Sequence, residues 1–447
     1  MRVSFYTLGC KLNQYETEAI ASSFKEKGFI IVPVEEHSEL FIINTCTVTS
    51  RSDQKARRII RKISRENPES VVIVTGCYAE LDPEILKTLG ENVYLISQSR
   101  KNILLELPAH LCESPQERLY EKIEALLAEL SDNSRLFSEE KKFQFLPSAF
   151  SFHSRAFLKI QDGCDQRCSY CRIPLARGNS TSLNTEEVIS RATRLAEKGY
   201  REIVLTGVNI SSYRWDDCRL EDLIERLICS LPHTRIRLSS LEPEMVSPRL
   251  AKILSQPTVC PNFHIPVQSG SDRILKAMGR RYRRETVKRV VKRLRECKGD
   301  PFIAADIIVG FPGEEEKDYM MTKDLILELE LSKLHVFPYS KRPGTPSAKL
   351  KDSVADEVKK RRVQELGELS DRLLNNYKQR WKEKVVSPLL ETYRITESKK
   401  VWYGITENYL KVVVKSIPKR YQERGVLCRA RLKKVEPECI TRFISIM

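Results

Sequence analysis

The chain lacks any uninterrupted apolar run approaching the roughly 18 residues that cross a bilayer. Its 41% hydrophobic and 30% charged content is ordinary for a soluble globular protein. The first ten residues, Met1 to Cys10, lack the charged and apolar regions of a secretory signal, which predicts a cytoplasmic chain with no membrane association. A disulfide framework is not expected there, and 13 cysteines is an odd number. Histidine is scarce: the six present are scattered, with no spacing that assigns them a role. The cysteines remain to be explained.

Three of them, Cys164, Cys168 and Cys171, form a C-x-x-x-C-x-x-C triplet in GCDQRCSYCRIPLARG. Three close thiolates can hold three irons of a 4Fe-4S cube and leave the fourth open to a small-molecule ligand. Structural zinc would require a fourth Cys or His, and none stands nearby. Cys112, Cys218, Cys229, Cys260, Cys297, Cys428 and Cys439 have no ligand-like spacing and are assigned to packing.

Apolar strand patterns at 3–7, 40–44 and 71–75 alternate with helical patterns at 13–27 and 52–66, which predicts a doubly wound α/β domain with a mostly parallel sheet. Each strand leads within a few residues into a cysteine: Cys10, Cys46 or Cys77. The carboxyl ends of parallel strands share one edge, so these residues, 36 and then 31 apart, are expected to converge as a second three-thiolate site. The alternative is three small buried residues at strand ends. From 107 to 152 the periodicity weakens into a connector with one amphipathic stretch near 116–130 and a polar run at 131–142. Six further strands, at 156–161, 202–207, 235–240, 262–267, 302–311 and 333–340, predict a partial βα barrel whose strand-end loops surround one cavity.

After a charged helix at 356–384, short strands at 385–392, 401–406, 410–414, 426–435 and 441–446 predict a small β-barrel. Its Lys411, Lys415, Lys419, Arg420, Arg429, Arg431, Lys433 and Lys434, interleaved with Tyr403, Tyr409 and Tyr421, suit a nucleic-acid surface, the alternative being an end-cap with solvated lysines. With 76 Lys and Arg against 60 Asp and Glu, the net charge of +16 favours a polyanionic partner.

The triplet, with Tyr170 before its third cysteine, resembles the signature of radical S-adenosylmethionine enzymes. LGCKLNQYETE, NTCTVTSRSDQKARR, TGCYAE, IPVQSGSDRILKAMGRRY and DIIVGFPGE together resemble the methylthiotransferases among them, over essentially the whole chain. The resemblance implies four parts: an N-terminal α/β domain (1–106), a connector (107–152), a radical-SAM partial (β/α)6 barrel (153–383) and a TRAM-like RNA-binding β domain (384–447). It implies two 4Fe-4S clusters, on Cys164, Cys168 and Cys171 and on Cys10, Cys46 and Cys77, with S-adenosylmethionine as methyl donor and radical source. The first cluster would cleave the cosubstrate and the second would carry the sulfur. For the cosubstrate, Tyr170 would pack on the adenine, and Thr206, Gly207 and Asn209 would receive the methionine amino end. Ser240 and Glu242 would bond the ribose, and Ile308 to Gly310 would flank the purine. No catalytic side chain beyond the cluster ligands is implied.

The partners implied are tRNA and an electron donor such as a flavodoxin-type protein. Basic runs at Lys55, Arg57, Arg58, Arg61 and Lys62 and at Arg280, Arg281, Arg283, Arg284, Lys288 and Arg289 would contact phosphates, or are solvated helix faces. LGCK-x-NQYETE is the wording of family members that act on carbon 2 of N6-threonylcarbamoyladenosine beside the anticodon. Isopentenyl-adenosine enzymes usually read GCQMN, and ribosomal-protein aspartate enzymes GC-x-KN-x-VDSE. Arg172 and Leu175 stand where the family more commonly has apolar and aromatic residues. The reading from outside enzymes is an RNA-binding module whose cysteines hold zinc.

Overall fold

Runs such as LFII and VVIV have no polar face to offer solvent, so they suit the middle of a sheet covered on both sides. The computed structural model describes residues 1–113, 119–131, 142–351, 353–396 and 399–447. These runs lie there in Leu40–Thr45 and Val71–Gly76, buried at every position. They belong to a five-stranded parallel sheet with Arg2–Thr7, Ile30–Val32 and Val93–Leu95, in the order second, first, third, fourth, fifth. The edge strands Ile30–Val32 and Val93–Leu95 are absent from the sequence expectation, because three residues with no buried position carry no alternation. They matter for function: with this order the chain reverses direction between the first and third strands, and ligands bind beside the carboxyl ends at such a reversal.

The helices Lys11–Glu26 and Ser50–Glu66 follow the first and third strands. In the latter, Ala56, Ile60 and Ile63 recur at helical spacing and pack into the core, and Thr49 caps the start by accepting from the Ser52 N–H. The helix Ile103–Glu113 straddles the expected start of the connector and Leu119–Ser131 lies within it, while its polar run falls largely on 132–141, outside the described residues. The end of the connector is tied to the first helix. Tyr15 donates to the Phe145 carbonyl (2.6 Å), and Glu18 accepts from the N–H groups of Ser151 (2.7 Å) and Phe152 (2.9 Å). The first compact unit comprises Met1–Phe152, Gln161–Arg167 and Cys171–Leu183.

The second unit comprises His153–Ile160, Cys168–Tyr170 and Asn184–Met447. Its parallel strands Ala156–Lys159, Glu202–Thr206 and Arg235–Leu238 form one set, and Asn262–Gln268, Phe302–Val309 and Lys333–Pro338 another. A single bridge between Ser240 and His264 links the sets into a six-stranded partial barrel. Fully buried Arg237 bonds to Glu202 (2.6 and 3.0 Å), Asn262 (3.2 Å) and the Thr406 carbonyl (3.1 Å), with its guanidinium 5.1 Å from the Tyr409 ring centre.

The last strands, from Val385–Val386 to Cys439–Ile446, make a six-stranded sheet over a core that includes Leu390, Trp402, Val412 and Leu432. A bridge between Leu389 and Leu427 connects its far strand back to the other side. The stretch 385–392, read from sequence as one strand, is two, Val385–Val386 and the start of Leu389–Thr396, with Pro388, which has no N–H to donate, at the break. Among the described residues no helix is long and apolar enough to cross a membrane.

Candidate active site

In the first unit, Cys10 is the N-cap of Lys11–Glu26, Cys46 follows Leu40–Thr45, and Cys77 opens the helix Cys77–Leu81. Glycines set two of these approaches. Gly9 (φ 100°) lies so close to Cys46 that a Cβ there would sit 2.8 Å from Cys46 Sγ, and Gly76 (φ 99°) would drive a Cβ into the Thr45 backbone. Cys46 and Cys77 are buried, whereas Cys10 is exposed. Burial, reinforced by the neighbouring Cys10 and Cys77, pushes the Cys46 thiol up to about 12. Burial also raises Cys77, against the pull of Arg177 and Lys101. The three sulfurs do not form a trio within 4.8 Å of one another, as ligands of a single ion would. An all-thiol set, wider than one ion needs and able to shed its protons to a metal, fits an iron–sulfur cube.

A buried ionic network adjoins the set. Arg177 Nε donates to Cys77 Sγ (3.4 Å), while its other nitrogens reach Glu16 (2.9 and 3.1 Å), both oxygens of Asp162 (3.1 Å) and Asn13 Oδ1 (2.8 Å). Lys101 Nζ donates to Glu16 (2.7 Å) and Asn44 Oδ1 (3.0 Å). Burial alone would disfavour the Arg177 charge, but Asp162 and Glu16 hold its pKa well above the usual value. Two cations and two carboxylates balance, so cysteine thiolates would add net negative charge beside Arg177, which contacts Cys77 Sγ.

In the second unit, a polar chain runs among residues proposed for the cosubstrate. The Ser211 N–H donates to Asn209 Oδ1 (3.2 Å), the Glu242 N–H donates to Ser211 Oγ (2.9 Å), and Glu242 pairs with Arg280, which in turn donates to Cys168 Sγ (3.2 Å). Tyr170 and Ile308 pack on one apolar cluster with Met278, Phe311 and Tyr339. Ser169, between Cys168 and Tyr170, is pinned by its N–H to the Met278 carbonyl (2.9 Å) and its hydroxyl to Ala277 (2.9 Å). Thr206 ends its strand, with its carbonyl accepting from Ile160, and Gly207 follows. Ser240 lies at the bridge to His264, and the Gly310 N–H is held by Glu314 (3.0 Å). Of the other triplet cysteines, Cys164 donates its N–H to the Gly178 carbonyl (3.0 Å) in the first unit, where Cys171 also lies, half-buried.

The Bacillus subtilis protein named threonylcarbamoyladenosine tRNA methylthiotransferase MtaB is 38% identical, over 92% of this chain and 90% of its own length. The Radical SAM superfamily matches residues 158–326, and the family described as Uncharacterized protein family UPF0004 matches residues 2–97. The chain belongs to the radical S-adenosylmethionine methylthiotransferases. A Carboxydothermus hydrogenoformans relative named tRNA-2-methylthio-N(6)-dimethylallyladenosine synthase is 34% identical over 82% of this chain and 83% of its own. Among solved structures, the Kitasatospora setae radical S-adenosylmethionine methyltransferase TsrM, with cobalamin and a [4Fe-4S] cluster bound, superposes with a TM-score of 0.54 at 16% identity. The match covers 77% of this chain and 76% of that one, and it supports the fold alone.

Within this methylthiotransferase, several side chains differ from the sequence expectation. Arg280, read as a phosphate contact, has only 4% of its side chain exposed and serves Cys168 and Glu242. Lys288 is paired with Glu328 (2.7 Å), while Lys55, Arg58, Arg61 and Lys62 are exposed. Tyr409, read as a stacking surface residue, packs on Arg237 and Phe302, and Tyr421 stacks on Phe443. Arg172, a departure from the family wording, forms a two-pronged pair with Asp82 (2.7 and 3.2 Å). Cys112 and Cys229 are exposed rather than packed. Sequence reasoning missed Arg177, Lys101 and Glu16. Only Asn13 and Glu16, three apart on the buried face of one helix, offered a signal.

Proposed function

We propose that this enzyme methylthiolates carbon 2 of N6-threonylcarbamoyladenosine in tRNA, beside the anticodon, using two 4Fe-4S clusters and S-adenosylmethionine. The observation that carries the two-cluster reading is the convergence of Cys10, Cys46 and Cys77 beside Arg177 and Lys101. They would hold one cluster and Cys164, Cys168 and Cys171 the other. The substrate choice rests on LGCKLNQYETE and on the name of the Bacillus subtilis relative. When bound, the clusters supply the electron that cleaves the sulfonium and the sulfur that is methylated and transferred.

The chain's own groups bind and orient. The Arg280 guanidinium, donating to Cys168 Sγ, sets a positive charge beside that sulfur and orients the Glu242 carboxylate toward hydroxyls of the cosubstrate. Asn209 and Ser211 keep the Glu242 backbone in place, while Tyr170 and Ile308 offer an apolar wall for a purine, with Thr206, Gly207, Ser240 and Gly310 at the neighbouring strand ends. Arg177 performs the same charge service for Cys77.

In this reading the parts are 1–106 for the sulfur-carrying cluster, 107–152 as connector, 153–383 for radical generation and 384–447 for RNA. An electron donor of flavodoxin type and a cytoplasmic location complete it. Mass analysis of tRNA nucleosides from a deletion strain tests the substrate: loss of the methylthio-threonylcarbamoyl nucleoside supports it, and persistence refutes it. Loss of the methylthio-isopentenyl nucleoside, or of methylthio-aspartate in a ribosomal protein, would move the assignment to those acceptors.

A further inference from the structure

Two of the scattered histidines are brought together by the barrel. His264 lies on Asn262–Gln268, Asp306 on Phe302–Val309 and His335 on Lys333–Pro338, three neighbouring parallel strands. In register, His264 stands opposite Ala304 and His335 opposite Asp306. Ala304 and Asp306 are two residues apart on one strand, so all three side chains leave the same face of the sheet. One ligand atom of each lies within 4.8 Å of the other two, and no other such trio of His, Cys, Asp or Glu occurs among the described residues. The two imidazole centres are 5.3 Å apart.

Hydrogen bonding does not account for the arrangement. His264 Nε2 is buried without a hydrogen-bond partner, although Asp306 Oδ1 is 2.8 Å from it. A buried polar atom left without a hydrogen bond is unfavourable, so a partner of another kind suits this position. Two ligand atoms 2.8 Å apart whose geometry does not form a hydrogen bond resemble adjacent positions around a cation. With bonds of about 2.1 Å, neighbouring octahedral ligands stand about 3.0 Å apart. Two imidazoles and a carboxylate suit a borderline divalent ion such as zinc or ferrous iron, and three protein ligands leave positions open to water or another oxygen ligand. An entry path exists, because His335 also lines an open cavity of about 810 Å³ with Lys333, Tyr403 and Tyr409.

We propose that His264, Asp306 and His335 bind one divalent transition-metal cation, additional to anything held by the cysteines. The test uses the full-length, anaerobically reconstituted protein, equilibrated with zinc and desalted, with zinc, iron and sulfide measured together and the zinc-edge absorption spectrum recorded. The expected result is one zinc per chain in a nitrogen and oxygen shell containing two imidazoles. His335→Ala, at an exposed position, and His264→Gln should each weaken zinc binding at least about 10-fold with unchanged iron and sulfide. Failure to retain zinc, a sulfur-containing shell, or equal retention by the His264→Gln/His335→Ala double variant would overturn the proposal. The readout is independent of methylthiolation, so it stands or falls separately from the substrate assignment.

Discussion

Each unit buries an arginine against carboxylates, but the two units distribute its duties differently. In the first, Arg177 both neutralises Glu16 and Asp162 and donates to Cys77 Sγ. In the second, Arg237 neutralises Glu202 inside the barrel, and a different residue, Arg280, donates to Cys168 Sγ. One residue therefore carries fold and site together in the first unit, while in the second they are separable. Burial and pairing alone do not mark a functional arginine. The sulfur in contact with it does.

The largest effects should come from the cysteines themselves. Cys168→Ala is expected to abolish S-adenosylmethionine cleavage, and Cys46→Ala to leave cleavage intact while removing methylthiolated product. Each should lose about half the cluster iron. Chromatography of 5′-deoxyadenosine beside nucleoside mass analysis reads both, and loss of cleavage in both variants would erase the division between units. Next, Arg177→Leu and Arg237→Leu should each destabilise by about 3–5 kcal/mol in urea unfolding, because each strands buried carboxylate charge. The comparison predicts that only Arg177→Leu also lowers iron content under folding conditions. Equal iron loss in Arg237→Leu would break it.

How much of this was legible in the sequence follows from distance along the chain. Cys164, Cys168 and Cys171 need only their own spacing, and Cys10, Cys46 and Cys77 announce themselves because each follows an apolar strand whose end the parallel sheet places on one edge. Arg177 could not be found this way: it is 100 residues from Cys77, and a single arginine has no period. His264 and His335 were passed over for the same reason, since strand register, not spacing, aligns them with Asp306. Arg280 misled because a run of arginines reads as a phosphate-binding face, whereas the helix Arg284–Lys298 begins only after it and leaves Arg280 in the loop beside Glu242.

A smaller effect is expected at Arg280, the separable site arginine. Replacing it by Gln removes hydrogen bonds to charged groups worth about 1.5–3 kcal/mol, so kcat/KM for S-adenosylmethionine cleavage should fall about 10- to 100-fold. The urea midpoint should fall less than in Arg237→Leu, because the Gln amide can still donate to the Glu242 carboxylate, which keeps some exposure of its own. A midpoint shift as large as that of Arg237→Leu would show that the second unit does not separate the two duties.

The smallest and most discriminating effect is the acid dependence of the purely structural pair. Burial pushes the Glu202 carboxyl up, but Arg237, and then Arg155, outweigh it and hold its pKa below the usual carboxylate range. The unfolded chain therefore binds the proton more readily than the folded one, so stability from this group is fully present above about pH 4.3 and is lost as pH falls through the folded value. Glu202→Gln should be less stable than the unmodified protein at neutral pH, with a shallower decline below about pH 4, as measured by urea midpoints across that range. Iron content at neutral pH should be unaffected, since neither Glu202 nor Arg237 bonds to a cysteine proposed to hold a cluster. An unchanged acid slope in Glu202→Gln would mean that Arg237 is not held by this charge, and the contrast with Arg177 would lose its physical basis.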